Sequence, residues 1–542
     1  MPKFYITTPI YYPNAEPHLG HVYTTICADV LARYHRLAGD DTFFLTGTDE
    51  HGIKMVKTAA ERNITPQQLA DQNVAVFESL WKELNITNDD FIRTSSPRHK
   101  QSVQKIVEKL VASGDIYLGS YQGWYDEGQE EFVTETEAKD RQYLAFNRKP
   151  LVRYSEPTYF FKLKKYIPQV QAYIESHPDF IQPLARRNEV LSKLKQGVED
   201  LSISRATLKW GIELPHDPGH VLYVWIDALS NYITALGYPA LSDEATKRRS
   251  DEGKESPSLP SSLRRSVAPS LFDQFWPADV HLIGKEIMWF HTVYWPAMLF
   301  ALGIDQPKQV YAHGWWTADG RKMSKTEGNF IDLAKLRGVI ATHSLDALRY
   351  YLLRAAPFGN DLDWSDSEFN SAYTELGNVI GNCLNRVLNM ANKYLDGIVP
   401  PDPGPATGDD LAHSLFIEKY TNFPQSLAAR YNAIALQDII LVPLELARAT
   451  NGYIDSRAPF KLAKDPAKAG ELQAVMWRSI QSIYRVLVAL LPILPEKAAA
   501  GLTQLGVDLT AKSLPDLFSQ PLPAGHKLGA NQPLFPKIEP AA

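Results

Sequence analysis

The strongest constraint on the fold is an alternation of strand-like and helix-like patterns at the start of the chain. Residues 4–12 (FYITTPIYY) and 41–49 (DTFFLTGTD) are rich in β-branched and aromatic residues, which favour strands. Each run precedes a segment with apolar residues at helical spacing, over residues 21–39 and about residues 65–84. Strand, helix, strand and helix in this order predict an α/β fold with a doubly wound, Rossmann-like parallel sheet.

Three later runs extend this prediction. Residues 221–227, 279–285 and 310–316 are nearly continuous in apolar residues, as expected for strands that are covered on both faces. Between the two groups of strands, residues 114–211 contain short aromatic runs separated by turn residues. This segment is predicted to be an inserted α+β subdomain.

The pattern changes in the second half of the chain. From residue 365 onward, apolar residues recur at helical spacing, which predicts an α-helical bundle over residues 365–517. The Pro-rich segment 518–542 is predicted to be a C-terminal tail. Residues 242–267 are rich in Ser, Pro and charge, and this composition predicts a mobile surface loop or, alternatively, an RNA-contacting one.

Composition excludes several classes of protein. The 542 residues include 44% hydrophobic and 22% charged residues, as in ordinary globular proteins, and the net charge of −6 gives no global signal for nucleic acid. The two cysteines, Cys27 and Cys383, cannot form a disulfide framework or a four-cysteine zinc knuckle, and they suit a cytoplasmic location. We found neither a signal-peptide pattern nor an apolar stretch of membrane-spanning length, so no membrane association is expected.

The segment His18-Leu19-Gly20-His21 follows a predicted strand and opens a predicted helix. Helix N-termini favour phosphate groups, and a glycine lets a flat base approach the backbone. A metal site is less favoured because helix-borne zinc histidines are usually spaced one residue further apart. Asp49 and His51 could be recruited as ligands, but no further cluster has ligand spacing. Simple packing of the histidines is the remaining alternative.

A second polar segment, DGRKMSKTEGN, occupies residues 319–329. It crowds Arg321, Lys322 and Lys325 beside the hydroxyl of Ser324, directly after a predicted strand. Such a loop can close over a polyphosphate. Taken alone, it could equally be a solvated hairpin.

Together, the two segments resemble the HIGH and KMSKS signatures of class I aminoacyl-tRNA synthetases. The resemblance covers nearly the whole chain and is strongest to the methionyl-tRNA synthetases. The segments that carry it are TTPIYYPNAEPHLGH, FLTGTDEHG, GWYDEGQEEF, YVWIDALSNYI, DVHLIGKEIMWFHTVYWPAML, HGWWTADGRKMSKTEGN and RYYLLRAAPFGND.

The resemblance implies an enzyme that activates methionine with ATP to methionyl-adenylate, releases pyrophosphate, and transfers methionyl to tRNA(Met). It also implies a division into domains. The expected parts are the first half of the catalytic domain (1–113), an inserted connective subdomain (114–211), the second half of the catalytic domain (212–308), a region with the KMSKS loop and stem contacts (309–364), and an anticodon-binding bundle (365–517).

The site residues carried over from the family fall into three groups. The ATP site would comprise His18, Gly20, His21, Lys285, Lys322, Met323, Ser324 and Lys325, of which His18, His21, Lys322 and Lys325 would be catalytic. The methionine site would comprise Ile10, Tyr12, Asp49, Trp225, Ala228, Tyr232 and His291. The anticodon site would comprise Asn382, Arg386 and Phe460, although the family usually has Trp at the position of Phe460.

The resemblance also carries expectations about cofactors and partners. Mg²⁺ would arrive with ATP, and no structural zinc is predicted because the insert lacks zinc-knuckle residues. The expected partners are tRNA(Met), methionine and ATP. The chain ends after the bundle, without the appended domain of some relatives, which favours a monomer.

Three alternatives stay open at this point. One is a different class I synthetase, such as the cysteine enzyme, whose zinc–thiolate substrate site this chain could not build. A smaller nucleotidyltransferase would share the HxGH element but would not account for the helical bundle. An inactive paralogue that only binds RNA would not need the intact histidines, lysines and Asp49.

Overall fold

The computed structural model describes residues 1–126, 131–133, 135–145, 148–239, 270–318, 320–323, 329–405, 411–510 and 513–538. The loop predicted over residues 242–267 therefore lies outside the described residues. The chain forms two compact units. One consists of Met1–Pro2, His18–Thr42 and His313–Ala542, and the other of Lys3–Pro17 and Phe43–Ala312. We call them the bundle unit and the sheet unit.

A six-stranded sheet is the centre of the sheet unit. The neighbouring strands Lys3–Thr7 and Val280–Gly284 run parallel, and so do the strands of both outer pairs. This arrangement confirms the predicted doubly wound α/β class. The strand order is Asp90–Arg93, Asp41–Thr48, Lys3–Thr7, Val280–Gly284, Val310–His313 and Ile181–Gln182.

Two smaller sheets also lie among the described residues of the sheet unit. A four-stranded sheet contains Glu131–Val133, Ile116–Asp126, Val152–Phe161 and Leu201–Ser202, and a three-stranded sheet contains Glu213–Leu214, Asp217–Leu222 and Ser204–Arg205. Over the residues that the structure describes, the α-helices of this unit are Ile53–Glu61, Pro66–Glu83, Pro97–Ala112, Glu135–Asp140, Leu163–Ser176, Leu184–Leu194, Val224–Thr234, Leu271–Phe275 and Trp295–Leu302. A 3₁₀ turn (Lys285–Ile287) and a π-helical turn (Phe290–Tyr294) follow the strand Val280–Gly284.

The bundle unit contains the helix Leu19–Ala38 and the C-terminal part of the chain. Its three-stranded sheet has the order Arg321–Lys322, Trp316–Ala318 and Leu362–Trp364. The other α-helices are Leu333–Thr342, Leu345–Arg354, Asp366–Leu376, Asn382–Tyr394, Leu411–Asn432, Leu436–Arg457, Pro459–Leu462, Ala469–Leu490, Pro495–Gln504 and Leu514–Ser519, with a π-helical turn at Gly377–Gly381 and a 3₁₀ turn at Pro466–Lys468. This series confirms the predicted helical region. Among the described residues, no helix has the length and apolarity needed to cross a membrane.

Most predicted elements are present, but two strand predictions need correction. The run 221–227 was predicted as one strand, which is wrong: the strand Asp217–Leu222 ends there, and the helix Val224–Thr234 begins. Nearly every residue of this helix is buried, so it lacks the polar face that distinguishes a helix from a buried strand.

The run 310–316 is also divided between two sheets. Val310–His313 belongs to the six-stranded sheet, whereas Trp316–Ala318 pairs with Leu362–Trp364. The separation occurs at Gly314, where an added Cβ would lie 2.1 Å from the carbonyl oxygen of Asn360. Only glycine permits this close approach of two backbones.

A buried ion pair joins two helices of the bundle unit that are distant in sequence. Arg349 donates from Nη2 to Asp29 Oδ2 at 2.7 Å, and both side chains are fully buried. Arg349 also donates to the carbonyl oxygens of Pro492 and Ile493, each at 2.9 Å. These bonds tie the helix Leu19–Ala38 to the C-terminal helices.

We predict that Arg349→Met destabilises the protein by about 3–5 kcal/mol, because Asp29 would keep a buried charge with less compensation. The measurement is the shift of thermal unfolding followed by circular dichroism. Arg430→Met is the matched control, because it removes an arginine from an exposed ion pair. Arg430 is half exposed, and its Nη1 lies 3.6 Å from Asp438 Oδ2. Equal shifts for the two variants would contradict a dominant role for the buried pair.

Candidate active site

His18 and His21 form a reciprocal cap at the N-terminus of the helix Leu19–Ala38. The backbone N–H of Gly20 donates to His18 Nδ1 at 3.1 Å, and the backbone N–H of His18 donates to His21 Nδ1 at 3.3 Å. A backbone N–H can only donate, so both Nδ1 atoms accept, and in the neutral rings the proton lies on Nε2. The cap therefore fixes both imidazoles as Nε2–H donors at a helix N-terminus, where the helix dipole favours anions.

The environment of the pair keeps His21 neutral. Burial lowers the pKa of His21 well below its ordinary value, and the neighbouring His18 lowers it further. The two rings stack with their centroids 3.8 Å apart, and Phe330 packs edge-on against His18. The histidines are thus held in a defined orientation without carrying a stable positive charge on His21.

The same helix packs against the strand that leads to the lysine loop. Tyr23 lies edge-on to His313 and Trp316, with centroid distances of 5.1 and 5.4 Å. Trp316 begins the strand that pairs with Arg321–Lys322 across a turn at Gly320, whose φ is +71°. The bundle unit therefore contains both the histidine pair and the base of the loop.

The structure describes part of that loop. Met323 is half-buried, and the backbone of Lys322 lies in the short strand Arg321–Lys322. Ser324 and Lys325 lie outside the described residues. Lys285, also predicted for the ATP site, belongs to the sheet unit, where it begins the 3₁₀ turn after the strand Val280–Gly284.

The predicted methionine residues all belong to the sheet unit, and the helix Val224–Thr234 carries three of them. We call it the pocket helix. Trp225 stacks face to face on Phe290, with 3.4 Å between ring centroids. The apolar cluster along this helix contains Ala228 and has Ile10, Tyr12 and Trp225 packed against it.

Tyr232 and His291 form a second contact of the pocket helix. The hydroxyl of Tyr232 lies 2.7 Å from His291 Nε2, and His291 Nδ1 donates to the carbonyl oxygen of Ile287 at 2.9 Å. Burial lowers the pKa of His291 to about 4, although the bond to Ile287 opposes the shift. The imidazole is therefore neutral near pH 7, with its proton on Nδ1, and its Nε2 accepts a hydrogen bond from the Tyr232 hydroxyl.

Asp49 follows the strand Asp41–Thr48, and its side chain is 6% exposed. Its backbone N–H donates to the carbonyl oxygen of Tyr11, and the Tyr12 hydroxyl donates to the carbonyl oxygen of His51 at 2.6 Å. The structure thus brings the segment Asp49–His51 next to Tyr12. An anionic group in this position is suited to binding an ammonium ion.

Sequence reasoning missed the buried polar groups that hold this segment in place. Glu50 accepts two hydrogen bonds from Arg93, at 2.7 and 2.9 Å, and one from Ser95. His51 and His99 both bond to Asp227, on the pocket helix. The polar residues of the segments TDEHG and WIDA are apparent in the sequence. No local sequence pattern, however, predicts hydrogen bonds between residues so distant in sequence.

The predicted anticodon residues lie in the bundle unit. Asn382 is exposed at the start of the helix Asn382–Tyr394, and Phe460 is 45% exposed. Arg386 donates to Asn451 at 3.1 Å and to Asp455, both on the helix Leu436–Arg457. The structure therefore fixes Arg386 against the helix that precedes Phe460.

No group of three or more His, Cys, Asp or Glu side chains in the described part of the chain has the arrangement of a metal site. Both cysteines are buried and free. His18 and His21 are engaged in capping, and His51 bonds to Asp227 through Nδ1. These contacts engage the Nδ1 atom of each of the three histidines.

Known proteins match the chain over nearly its full length. A family model described as tRNA synthetases class I (M) matches residues 4–142 and 133–388. The methionine–tRNA ligase of Bacillus subtilis is 42% identical over 553 residues, covering 99% of this chain and 78% of the relative. That of Clostridium acetobutylicum is 42% identical over 539 residues, with the same two coverages.

Solved structures agree with these relatives. Methionyl-tRNA synthetase of Mycobacterium tuberculosis in complex with methionyl-adenylate aligns with a TM-score of 0.88 and 35% identity, covering 99% of this chain and 100% of that one. The apo form of that enzyme aligns with a TM-score of 0.82 and 33% identity, covering 100% and 99%. The chain therefore belongs to the class I tRNA synthetases of the methionine family.

Proposed function

We propose that the chain is an enzyme that joins methionine to tRNA(Met) in two steps, through methionyl-adenylate and with release of pyrophosphate. The observation that best supports the chemistry is the capped histidine pair, which offers two oriented Nε2–H donors at a helix N-terminus. The 42% identity to methionine–tRNA ligases supports the choice of amino acid.

The first step needs alignment and charge stabilisation more than covalent help from the protein. The methionine carboxylate attacks the α-phosphorus of ATP, and pyrophosphate leaves with the electron pair of the broken P–O bond. His18 and His21 would donate to phosphate oxygens on which charge develops, and Gly20 would leave room for the base. Lys285, Lys322 and Lys325 would hold the phosphates, with Met323 and Ser324 in the same loop.

Methionine would bind in the sheet unit. Asp49 would pair with its ammonium group. Ile10, Tyr12, Trp225 and Ala228 would contact the side chain, and sulfur near aromatic rings is worth about 1 kcal/mol. The hydrogen-bonded pair of Tyr232 and His291 would form one wall of the methionine pocket. Because the His291 imidazole is neutral, it would add no charge near the thioether.

The second step needs recognition of tRNA(Met). Asn382, Arg386 and Phe460 would read the anticodon, with Phe460 stacking on an unpaired base. ATP would bring Mg²⁺, which neutralises phosphate charge. The absence of structural zinc, a monomeric state and the domain ranges given above stay predictions.

The direct test of the function is pyrophosphate exchange into ATP, measured with each amino acid in turn. We expect exchange with methionine, and far slower exchange with the others. A folded protein without methionine-dependent exchange would overturn the proposal. Exchange with a different amino acid would assign the chain a different substrate.

We predict that Gly20→Ala slows methionine-dependent exchange by about tenfold or more, through kcat, since small displacements of a reacting group are costly. The added Cβ would lie 3.0 Å from Cε1 and 3.2 Å from Nδ1 of His18, which is closer than ordinary contact, so the capping ring must shift. Gly338→Ala is the control, because its Cβ meets nothing within 4 Å in the helix Leu333–Thr342. Equal effects of the two substitutions would exclude a specific role of the cap.

We predict that Phe460→Ala lowers kcat/KM for charging of tRNA(Met) by about tenfold, as expected for the loss of one base-stacking contact. Pyrophosphate exchange should be unchanged because this reaction does not use tRNA. Leu415→Ala removes a comparably exposed apolar side chain (47% against 45%) and should affect neither reaction. Parallel losses in both reactions for Phe460→Ala would place this residue in the fold instead of the tRNA contact.

A further inference from the structure

A buried carboxylate connects three segments of the sheet unit that are distant in sequence. Asp227 Oδ2 lies 2.5 Å from His51 Nδ1, and its Oδ1 lies 2.7 Å from His99 Nε2. Asp227 and His99 are fully buried, and His51 is 1% exposed. We call these three residues the carboxylate clamp.

The direction of the bonds in the clamp follows from the charge of Asp227. Burial alone would raise the pKa of Asp227, but the charges and hydrogen bonds of His51 and His99 outweigh it and lower the pKa to about 2. The carboxylate is therefore ionised near pH 7 and can only accept. His51 Nδ1 and His99 Nε2 must both carry protons and donate to it.

His99 ties the clamp to the pocket helix a second time. Its Nδ1 lies 2.8 Å from the hydroxyl of Thr234, at the end of the helix whose first turn contains Asp227. His99 itself lies on the helix Pro97–Ala112. Both nitrogens of one rigid ring are thus bonded to the pocket helix, which restrains its rotation and translation.

His51 connects the clamp to the segment that carries Asp49. The backbone of this segment is held by Thr94 Oγ1, which accepts from the N–H of Glu50, and by the indole of Trp210, which donates to the carbonyl oxygen of Glu50 at 2.6 Å. The hydrogen bond from the His51 side chain to Asp227 links the segment Asp49–His51 to the pocket helix.

We propose that Asp227 is a positioning residue for methionine activation, which sets the distance between the carboxylate of Asp49 and the pocket helix. This inference rests on the proposed function. In the proposed site, Asp49 binds the ammonium group of methionine, and the apolar wall formed by Trp225 and Ala228 of the pocket helix contacts the thioether. The separation of Asp49 from this wall therefore decides whether both groups are contacted together. Asp227 joins the two elements through one side chain, and it acts without touching methionine.

The clamp residues are not needed to explain either the apolar wall or the phosphate site. Trp225 already stacks on Phe290, and Ala228 belongs to an apolar cluster. Loss of the clamp should therefore leave the wall assembled and loosen the attachment of the Asp49 segment to the pocket helix, although the contacts through Tyr12 remain. This selective effect separates positioning from general stabilisation.

The test uses pyrophosphate exchange by the full chain carrying Asp227→Asn. The asparagine keeps the size of the side chain but removes the charge and turns an NH₂ group toward one histidine. We expect KM for methionine to rise between about tenfold and a hundredfold, while KM for ATP stays within about twofold. An unchanged KM for methionine would overturn the inference.

Inhibition by the deaminated analogue of methionine distinguishes positioning from damage to the pocket. This analogue keeps the carboxylate and the thioether but has no ammonium group for Asp49. Its inhibition constant should be the same in wild type and in Asp227→Asn. A loss equal to that of methionine would mean that the whole pocket is disturbed, and would overturn the inference.

Asp115→Asn is the matched control for loss of a buried carboxylate. Asp115 is 1% exposed, and it accepts from Lys165 at 2.6 Å and from Ser113 at 2.7 Å. Its substitution should lower thermal stability and leave KM for methionine unchanged. An equal rise in KM for methionine in this control would show that the effect is general, and would count against the inference.

If Asp227→Asn does not fold, the inference can be tested with two variants of His51 instead. His51→Asn places an amide N–H near the position of Nδ1 and should keep KM for methionine close to wild type, whereas His51→Ala should raise it. Equal KM values in the two variants would overturn the inference. Wild-type protein without methionine-dependent exchange would overturn the proposed function itself, whereas an active wild type with unaffected variants would remove only the role of Asp227.

Discussion

The Asp29–Arg349 ion pair is a fully buried link between parts of the bundle unit that are distant in sequence. It joins a helix near the N-terminus to one in the second half of the chain, and Arg349 also holds the carbonyl oxygens of Pro492 and Ile493. The helix Leu19–Ala38, which is capped by His18 and His21, lies in the same unit as the strand leading into the lysine loop. Two motifs separated by most of the chain are thereby built on one framework.

The sequence was informative where a structural feature is local. The helix Pro66–Glu83 begins at a Thr65–Gln68 capping box, and the parallel strands have the apolar runs expected of them. The prediction over residues 221–227 failed because a helix buried on all sides has no polar face. The family motifs identified candidate site residues, but they could not provide the hydrogen bonds that set protonation.

Protonation in the candidate site is set by backbone geometry and burial. The cap fixes the neutral imidazoles of His18 and His21 as Nε2–H donors, and the carbonyl oxygen of Ile287 makes His291 an Nδ1–H tautomer. Identical side chains therefore have opposite hydrogen-bonding roles: two carry a donor at Nε2, and one accepts a hydrogen bond from the Tyr232 hydroxyl at this atom. This distinction depends on backbone hydrogen bonds, which the letters of a sequence motif do not show.

Burying a charged group costs desolvation free energy, and this cost applies to the carboxylate clamp. Replacing a buried ion pair with apolar residues of similar volume is often neutral or stabilising, because desolvation offsets the attraction. Asp227 with its two histidines is therefore poorly explained by stability alone. Directed hydrogen bonds do provide fixed distances, which apolar packing defines less sharply. The proposed methionine site would have to bind both ends of a small amino acid, which requires such distances, and the clamp joins the two elements proposed to do so.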